Sequence, residues 1–97
     1  MEEKILEFIH RRFPVDCGWM NGNCFYFAKI LQARFYGEIV YDPIDGHFLF
    51  LATDGNLYDW TGRREYTQEQ RRKMFLWRDS ASLDAKLHER IVRDCIK

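Results

Sequence analysis

The sequence carries no excess of charge of either sign, and this absence limits the partners it can have. Its 97 residues contain 15 Lys and Arg and 15 Asp and Glu, so the formal net charge is zero. Dedicated nucleic-acid-binding domains carry a basic excess that neutralises phosphates. We therefore do not expect nucleic acid as a partner.

Long apolar runs are also missing. No run approaches the roughly 18 residues of a membrane span. The first residues, Met-Glu-Glu-Lys-Ile, lack the basic start and long apolar stretch of a signal peptide. These absences predict a cytoplasmic protein that does not associate with membranes, in a compartment where thiols stay reduced.

Cysteine is scarce, and its spacing is unlike that of a structural metal site. The three cysteines cannot all pair, and Cys17 and Cys24 are too far apart for the short Cys-x2–4-Cys pattern that binds zinc. We expect no metal and no other cofactor; a site built from Cys17, Cys24 and His47 is the least favoured alternative. Because 46% of the residues are hydrophobic and 16% are aromatic, residues 1–97 can build the core of one domain without metal or disulfide.

The charges are unevenly distributed along the chain. Residues 1–62 contain five Lys or Arg and nine Asp or Glu, a net charge of −4, whereas residues 63–97 contain ten and six, a net charge of +4. The favoured explanation is two solvated faces that attract each other. The alternative is a basic patch that binds an acidic partner, formed by Arg63, Arg64, Arg71, Arg72 and Lys73.

Apolar residues at helical spacing predict two helices in the first third of the chain. The first spans Glu2–Arg12 and ends before Pro14. The second spans Cys24–Phe35, with Asn23 as its N-cap and Gly37 at its C-terminal cap.

Three strands and two further helices are predicted in the remainder. The strands are Glu38–Tyr41, His47–Ala52 and Leu57–Trp60. A capping box beginning at Thr67 starts a short helix that runs to about Trp77. Ser80 or Ser82 caps a last helix with the buried stripe Leu83, Leu87, Ile91 and Cys95. The order α-α-β-β-β-α-α predicts an α+β fold, in which helices pack on a small antiparallel sheet of three or slightly more strands.

Three residues on these elements form a candidate thiol–imidazole–carboxylate triad. Cys24 opens a helix, where the unpaired N–H groups and the helix dipole favour a thiolate. His47 opens the central strand, so it lies at the rim of the sheet. Asp59 lies between two aromatic residues on the next strand, where a carboxylate is costly to bury without a partner. Taken singly, each residue has an ordinary structural explanation; the shared placement favours a site.

The hairpin between the second and third strands decides whether His47 and Asp59 share a face. A two-residue turn at Asp54-Gly55 would place them on opposite faces. A three-residue loop, Thr53-Asp54-Gly55, pairs position 49 with Asp59 and makes His47 a diagonal neighbour of Asp59. The sequence permits either loop.

The blocks Asn-Gly-Asn-Cys24-Phe-Tyr-Phe-Ala28, His47-Phe-Leu-Phe-Leu and Leu-Tyr-Asp59-Trp-Thr-Gly resemble the transglutaminase-like branch of the papain-like cysteine superfamily. They are also similar to small uncharacterised phage and prophage proteins. The resemblance covers about residues 18–62 and implies that Cys24 is the nucleophile, His47 the base and Asp59 the group that orients the base. The Gln that commonly supplies the oxyanion hole is absent, and Asn21 or Asn23 is the candidate replacement.

Two functions follow as expectations. The first is a cysteine hydrolase or acyltransferase acting on an amide or ester, such as a peptidase, amidase, deamidase or transglutaminase-like enzyme. The second is a catalytically inert binding or inhibitor protein that keeps the fold. Either function implies a protein or peptide as substrate or partner, and the sequence leaves the oligomeric state open.

Overall fold

A computed structural model describes residues 2–13 and 24–95, and it shows an α+β fold with one antiparallel sheet. Along the chain, the helices and strands are α1 Glu2–Arg12, α2 Cys24–Phe35, β1 Glu38–Asp42, β2 His47–Leu51, β3 Leu57–Asp59, β4 Gly62–Arg64, α3 Gln68–Lys73, β5 Phe75–Leu76, a 3-10 turn Trp77–Asp79, α4 Ser80–Leu83 and α5 Ala85–Cys95. The five strands lie in the order β4-β3-β2-β1-β5. The expected α+β class is confirmed, and β2 is the central strand.

The two faces of the sheet bury different sets of side chains because successive residues of a strand point in opposite directions. On one face, Phe48, Phe50 and Tyr58 pack with α1, α2 and α5 in the main core. The other face has a smaller apolar cluster around Leu49 and Leu57. Its further members are Val40, Leu51, Tyr66, Met74 and Leu76. Both faces meet at the start of β2, where His47 lies.

The chain after β3 departs from the expected order. The capping box of Thr67 and Gln70 is present, but α3 ends at Lys73 and does not reach Trp77. Met74 is extended, and Phe75–Leu76 pairs with β1 as an edge strand. Gly62–Arg64 adds a further edge strand beside β3. Both short strands exist because a neighbouring strand offers hydrogen-bond partners, which a local sequence pattern does not reveal.

The last helix also begins differently from the prediction. It is not capped by Ser80 or Ser82: the side chain of Asp84 accepts a hydrogen bond from Leu87 N–H at 3.1 Å, the geometry of an N-cap for α5. Leu83 falls outside the helix and is 65% exposed, so its predicted place in the buried stripe is wrong. Ile91 is buried as predicted.

The end of α2 corrects the predicted role of Gly37. Tyr36, and not Gly37, has the left-handed conformation that ends the helix, with φ of 59°. Gly37 is needed for a different reason: a Cβ there would lie 2.2 Å from the carbonyl oxygen of Leu51. Glycine therefore lets the chain leaving α2 pass against β2. Within the described residues, no helix is both long and apolar enough to cross a bilayer.

Candidate active site at the start of the central strand

Cys24 is the first residue of α2, and its sulfur lies against the start of β2. The side chain is 3% exposed. Its Sγ accepts a hydrogen bond from Phe48 N–H at 3.5 Å. The pairing of β2 with β3 extends only to Phe50, so a thiol and not a strand carbonyl satisfies this amide. From standard bond lengths, Sγ is at most about 6 Å from the Cα of His47, the residue that precedes Phe48.

His47 lies at the rim of the sheet and is half-buried. Its ring packs edge-to-face on Trp60, with the centroids 5.7 Å apart and the planes at 79°. Within the described part of the chain, the ring forms no hydrogen bond with Cys24 or Asp59. The structure therefore brings His47 beside the thiol but holds its imidazole on Trp60.

The β2–β3 hairpin has the register that the triad requires. Phe50 pairs with Tyr58, Ala52 N–H donates to Asn56 O at 3.0 Å, and Gly55 has φ of 88°. These features define the three-residue loop, which is one of the two loops that the sequence left open. The same register places position 49 opposite Asp59, so His47 and Asp59 belong to one face of the sheet as diagonal neighbours.

Asp59 is 7% exposed, and both of its carboxylate oxygens have partners. Oδ1 accepts hydrogen bonds from Thr61 N–H at 2.7 Å and from the Thr61 hydroxyl at 2.5 Å. Oδ2 lies 3.5 Å from Nε of Arg64. In this arrangement, Asp59 stabilises the turn between β3 and β4.

A second buried carboxylate, which the sequence analysis missed, lies on the other side of His47. Asp42 is 1% exposed and is the direct cross-strand partner of His47 in the β1–β2 pair. Its Oδ1 accepts a hydrogen bond from Ile44 N–H at 2.9 Å, whereas Oδ2 is buried with no hydrogen-bond partner in the described structure. The predicted strand stopped one residue short of Asp42. Pro43 was the available signal, since a residue before proline favours extended backbone.

Tyr66 shows that the two carboxylates belong to one polar cluster. Burial raises the pKa of Tyr66, Arg64 opposes the increase, and the negative charges of Asp59 and Asp42 raise this pKa further. Arg64, Asp59 and Asp42 therefore all lie close enough to Tyr66 to affect its ionisation.

The basic residues of the last third mostly contact nearby groups. Arg63 lies 3.1 Å from Glu2 and 2.6 Å from Glu65. Arg71 donates to Gly55 O at 3.0 Å. Of these contacts, the Arg63–Glu2 ion pair joins the basic and the acidic part of the chain, as the favoured explanation expects.

Three candidate residues from the sequence analysis lie in the segment 14–23. Asn21, Asn23 and Cys17 lie outside the described residues. Over residues 2–13 and 24–95, no group of three His, Cys, Asp or Glu side chains is arranged to hold a metal ion.

Comparisons with known proteins gave no match: neither a family model, nor a curated protein, nor a solved structure is similar to this chain.

Proposed function

We propose that the protein is a cysteine hydrolase or acyltransferase that acts on an amide or ester carbonyl of a protein or peptide. The observation that carries the proposal is the 3.5 Å contact between Cys24 Sγ and the backbone N–H that follows His47. It joins the first residue of α2 to the second residue of β2, the strand that begins with His47. A helix start favours the thiolate, and a neighbouring imidazole supplies the base.

In the proposed reaction, Cys24 attacks the carbonyl carbon after His47 has taken its proton. The carbonyl π electrons move to oxygen, and backbone N–H groups at the start of α2 stabilise the oxyanion, with Asn21 or Asn23 as the candidate side-chain donor. The carbonyl then re-forms, the bond to the leaving group breaks, and His47 gives its proton to that group, which leaves the acyl group on Cys24 as a thioester. Water or an amine, deprotonated by His47, attacks the thioester, so that the acyl group is transferred and the Cys24 thiol is released. Asp59 is the carboxylate assigned to orient His47.

The His47 ring must leave Trp60 for this reaction. His47 Cα lies within about 6 Å of the sulfur, so rotation about the side-chain bonds can bring a ring nitrogen to the thiol. Catalytic hydrogen bonds are often loose before substrate binds. We also propose a finer fold assignment: α2, β2 and β3 form a transglutaminase-like core, and they carry Cys24, His47 and Asp59 respectively.

Alkylation by iodoacetamide tests the proposal without a known substrate. The chain used throughout carries Cys17→Ala and Cys95→Ala, so that only Cys24 reacts, and modification is followed by mass spectrometry from pH 5 to 9. An activated thiolate should react at pH 6 about tenfold faster than an ordinary thiol, after its lower intrinsic nucleophilicity is considered. His47→Gln should remove this advantage. His10→Gln, a change on the exposed side of α1, should not.

The outcome that contradicts the enzyme is slow alkylation with the pH dependence of an ordinary thiol and no effect of His47→Gln. That result would favour the second candidate, an inert binding or inhibitor protein that retains the fold. Two observations favour this alternative: Cys24 is 3% exposed, and both oxygens of Asp59 already have partners.

A further inference from the structure

Asp42 has the one buried side-chain oxygen or nitrogen in the described residues without a hydrogen-bond partner. The residue is 1% exposed, so water does not readily replace the missing partner. Buried polar groups in folded proteins are nearly always satisfied, and an exception calls for an explanation. The missing partner should be a donor that reaches this oxygen in another state of the site.

His47 is a donor placed to reach it. The two residues are direct partners in the β1–β2 register, and residues opposed in this way have Cβ atoms about 4.5–5.5 Å apart. Asp59 is only a diagonal neighbour of His47, at about 7–8 Å. An imidazole N–H can therefore approach Asp42 more easily than Asp59.

The hydrogen bonds that the two carboxylates already make also favour Asp42 over Asp59 as the partner of His47. Asp59 accepts two hydrogen bonds from Thr61 and lies beside Arg64, so binding His47 would require breaking existing contacts. At Asp42, only Oδ1 is used, by Ile44 N–H, and that bond fixes the carboxylate in place. Oδ2 of Asp42 can therefore accept a hydrogen bond from His47 without any rearrangement of the β1–β2 turn.

We propose that Asp42 is a positioning residue for His47: it accepts a hydrogen bond from the imidazole when the ring turns from Trp60 towards Cys24, a conformation that the free protein populates. The inference rests on the proposed function and gives Asp42, in place of Asp59, the role of orienting His47. One ring nitrogen would face Asp42 and the other would face the thiol, because β2 separates the two and His47 lies at its rim. Asp42 thereby selects the tautomer in which the nitrogen nearer the thiol can accept a proton.

The ionisable groups on elements around His47 define the necessary controls. They are Asp42 on β1, Asp45 in the β1–β2 turn, Asp59 on β3, Arg64 on β4, Tyr66 before α3 and Cys24 on α2. Asp42→Asn keeps an oxygen for Ile44 N–H and removes only the acceptor at the Oδ2 position. Asp45→Asn is the matched control, since Asp45 is exposed in the same turn.

The direct test is nuclear magnetic resonance of the ¹⁵N-labelled histidine side chains, with the His47 signal assigned by its loss in His47→Gln. A ring N–H bound to a buried carboxylate should give a downfield proton that exchanges slowly with water. We expect this signal in the wild-type chain, in Asp45→Asn and in Asp59→Asn, and its loss in Asp42→Asn. Its absence from the wild type, its persistence in Asp42→Asn, or its loss in Asp59→Asn alone would overturn the proposal.

Alkylation of Cys24 in the same variants separates this inference from the proposed function. If Asp42 positions the base, Asp42→Asn should slow alkylation at pH 6 roughly tenfold or more, and Asp45→Asn should not. Because the wild-type spectrum is measured without any substitution, the test still stands if Asp42→Asn fails to fold. Slow alkylation in the wild type together with a bound His47 N–H would overturn the enzyme but support the Asp42–His47 contact.

Discussion

Replacing Gly37 with alanine should destabilise the protein sharply, because the chain leaving α2 has no room for a methyl group. The added Cβ would lie 2.2 Å from the Leu51 carbonyl oxygen and 2.7 Å from a ring carbon of Phe50. The clash with Leu51 cannot be relieved by a side-chain rotation, since that oxygen belongs to the backbone of β2. Paired strands on both sides hold β2 in place.

Overpacking a core typically lowers the free energy of unfolding by about 1–3 kcal/mol. Because the clash of Gly37→Ala is with the backbone, we expect a loss at the upper end of this range, about 3 kcal/mol. Urea denaturation followed by tryptophan fluorescence measures the loss as a lower midpoint at unchanged slope. Gly55→Ala is the matched control. It has no heavy atom within 4 Å of the added Cβ, and its φ of 88° leaves only left-handed strain, about 1 kcal/mol.

A Gly37→Ala variant no less stable than Gly55→Ala would refute this reasoning. It would show that α2 can move away from β2 at little cost. That result would also weaken the site, because the same helix places Cys24 against the start of β2. Alkylation of Cys24 in the Gly37→Ala variant would measure how far the loosening reaches.

Two further predictions concern the core and high pH. Leu31→Ala should lower the free energy of unfolding by about 2–5 kcal/mol, because Leu31 is completely buried. Leu87→Ala should lower it by less, because Leu87 is only half-buried. Equal losses of the two variants in urea denaturation would contradict this assignment. Burial, reinforced by the charge of Asp54, raises the pKa of Tyr58 to about 12. The unfolded chain therefore loses this proton first, so stability should fall by about 2–3 kcal/mol as the pH rises from about 10 to 12. The free energy of unfolding is measured by denaturation at each pH, and in Tyr58→Phe it should fall less steeply over this range. An unchanged slope against pH would disprove the raised pKa of Tyr58.

Local signals in the sequence were sufficient for α1, α2 and the three central strands, whereas they left the β2–β3 register open between two loops. Helical spacing places Ile5 and Ile9 in the core, and alternation with turn residues marks the three strands. These features depend on residues close together in sequence, so a pattern of spacing and turn chemistry can reveal them. The same local signals put Cys24 at a helix start and His47 at a strand start.

The tertiary structure alone decided the edge strands and the environment of Asp42. Phe75–Leu76 becomes a strand only because β1 offers an edge with unpaired backbone groups, and this partner lies more than thirty residues away. Asp42 likewise looks like a turn residue in the sequence; its burial and its unpaired oxygen depend on how the folded chain packs around it. Sequence patterns report local geometry, whereas the burial of a charge and the partner of a hydrogen bond depend on contacts that exist only after the chain has folded.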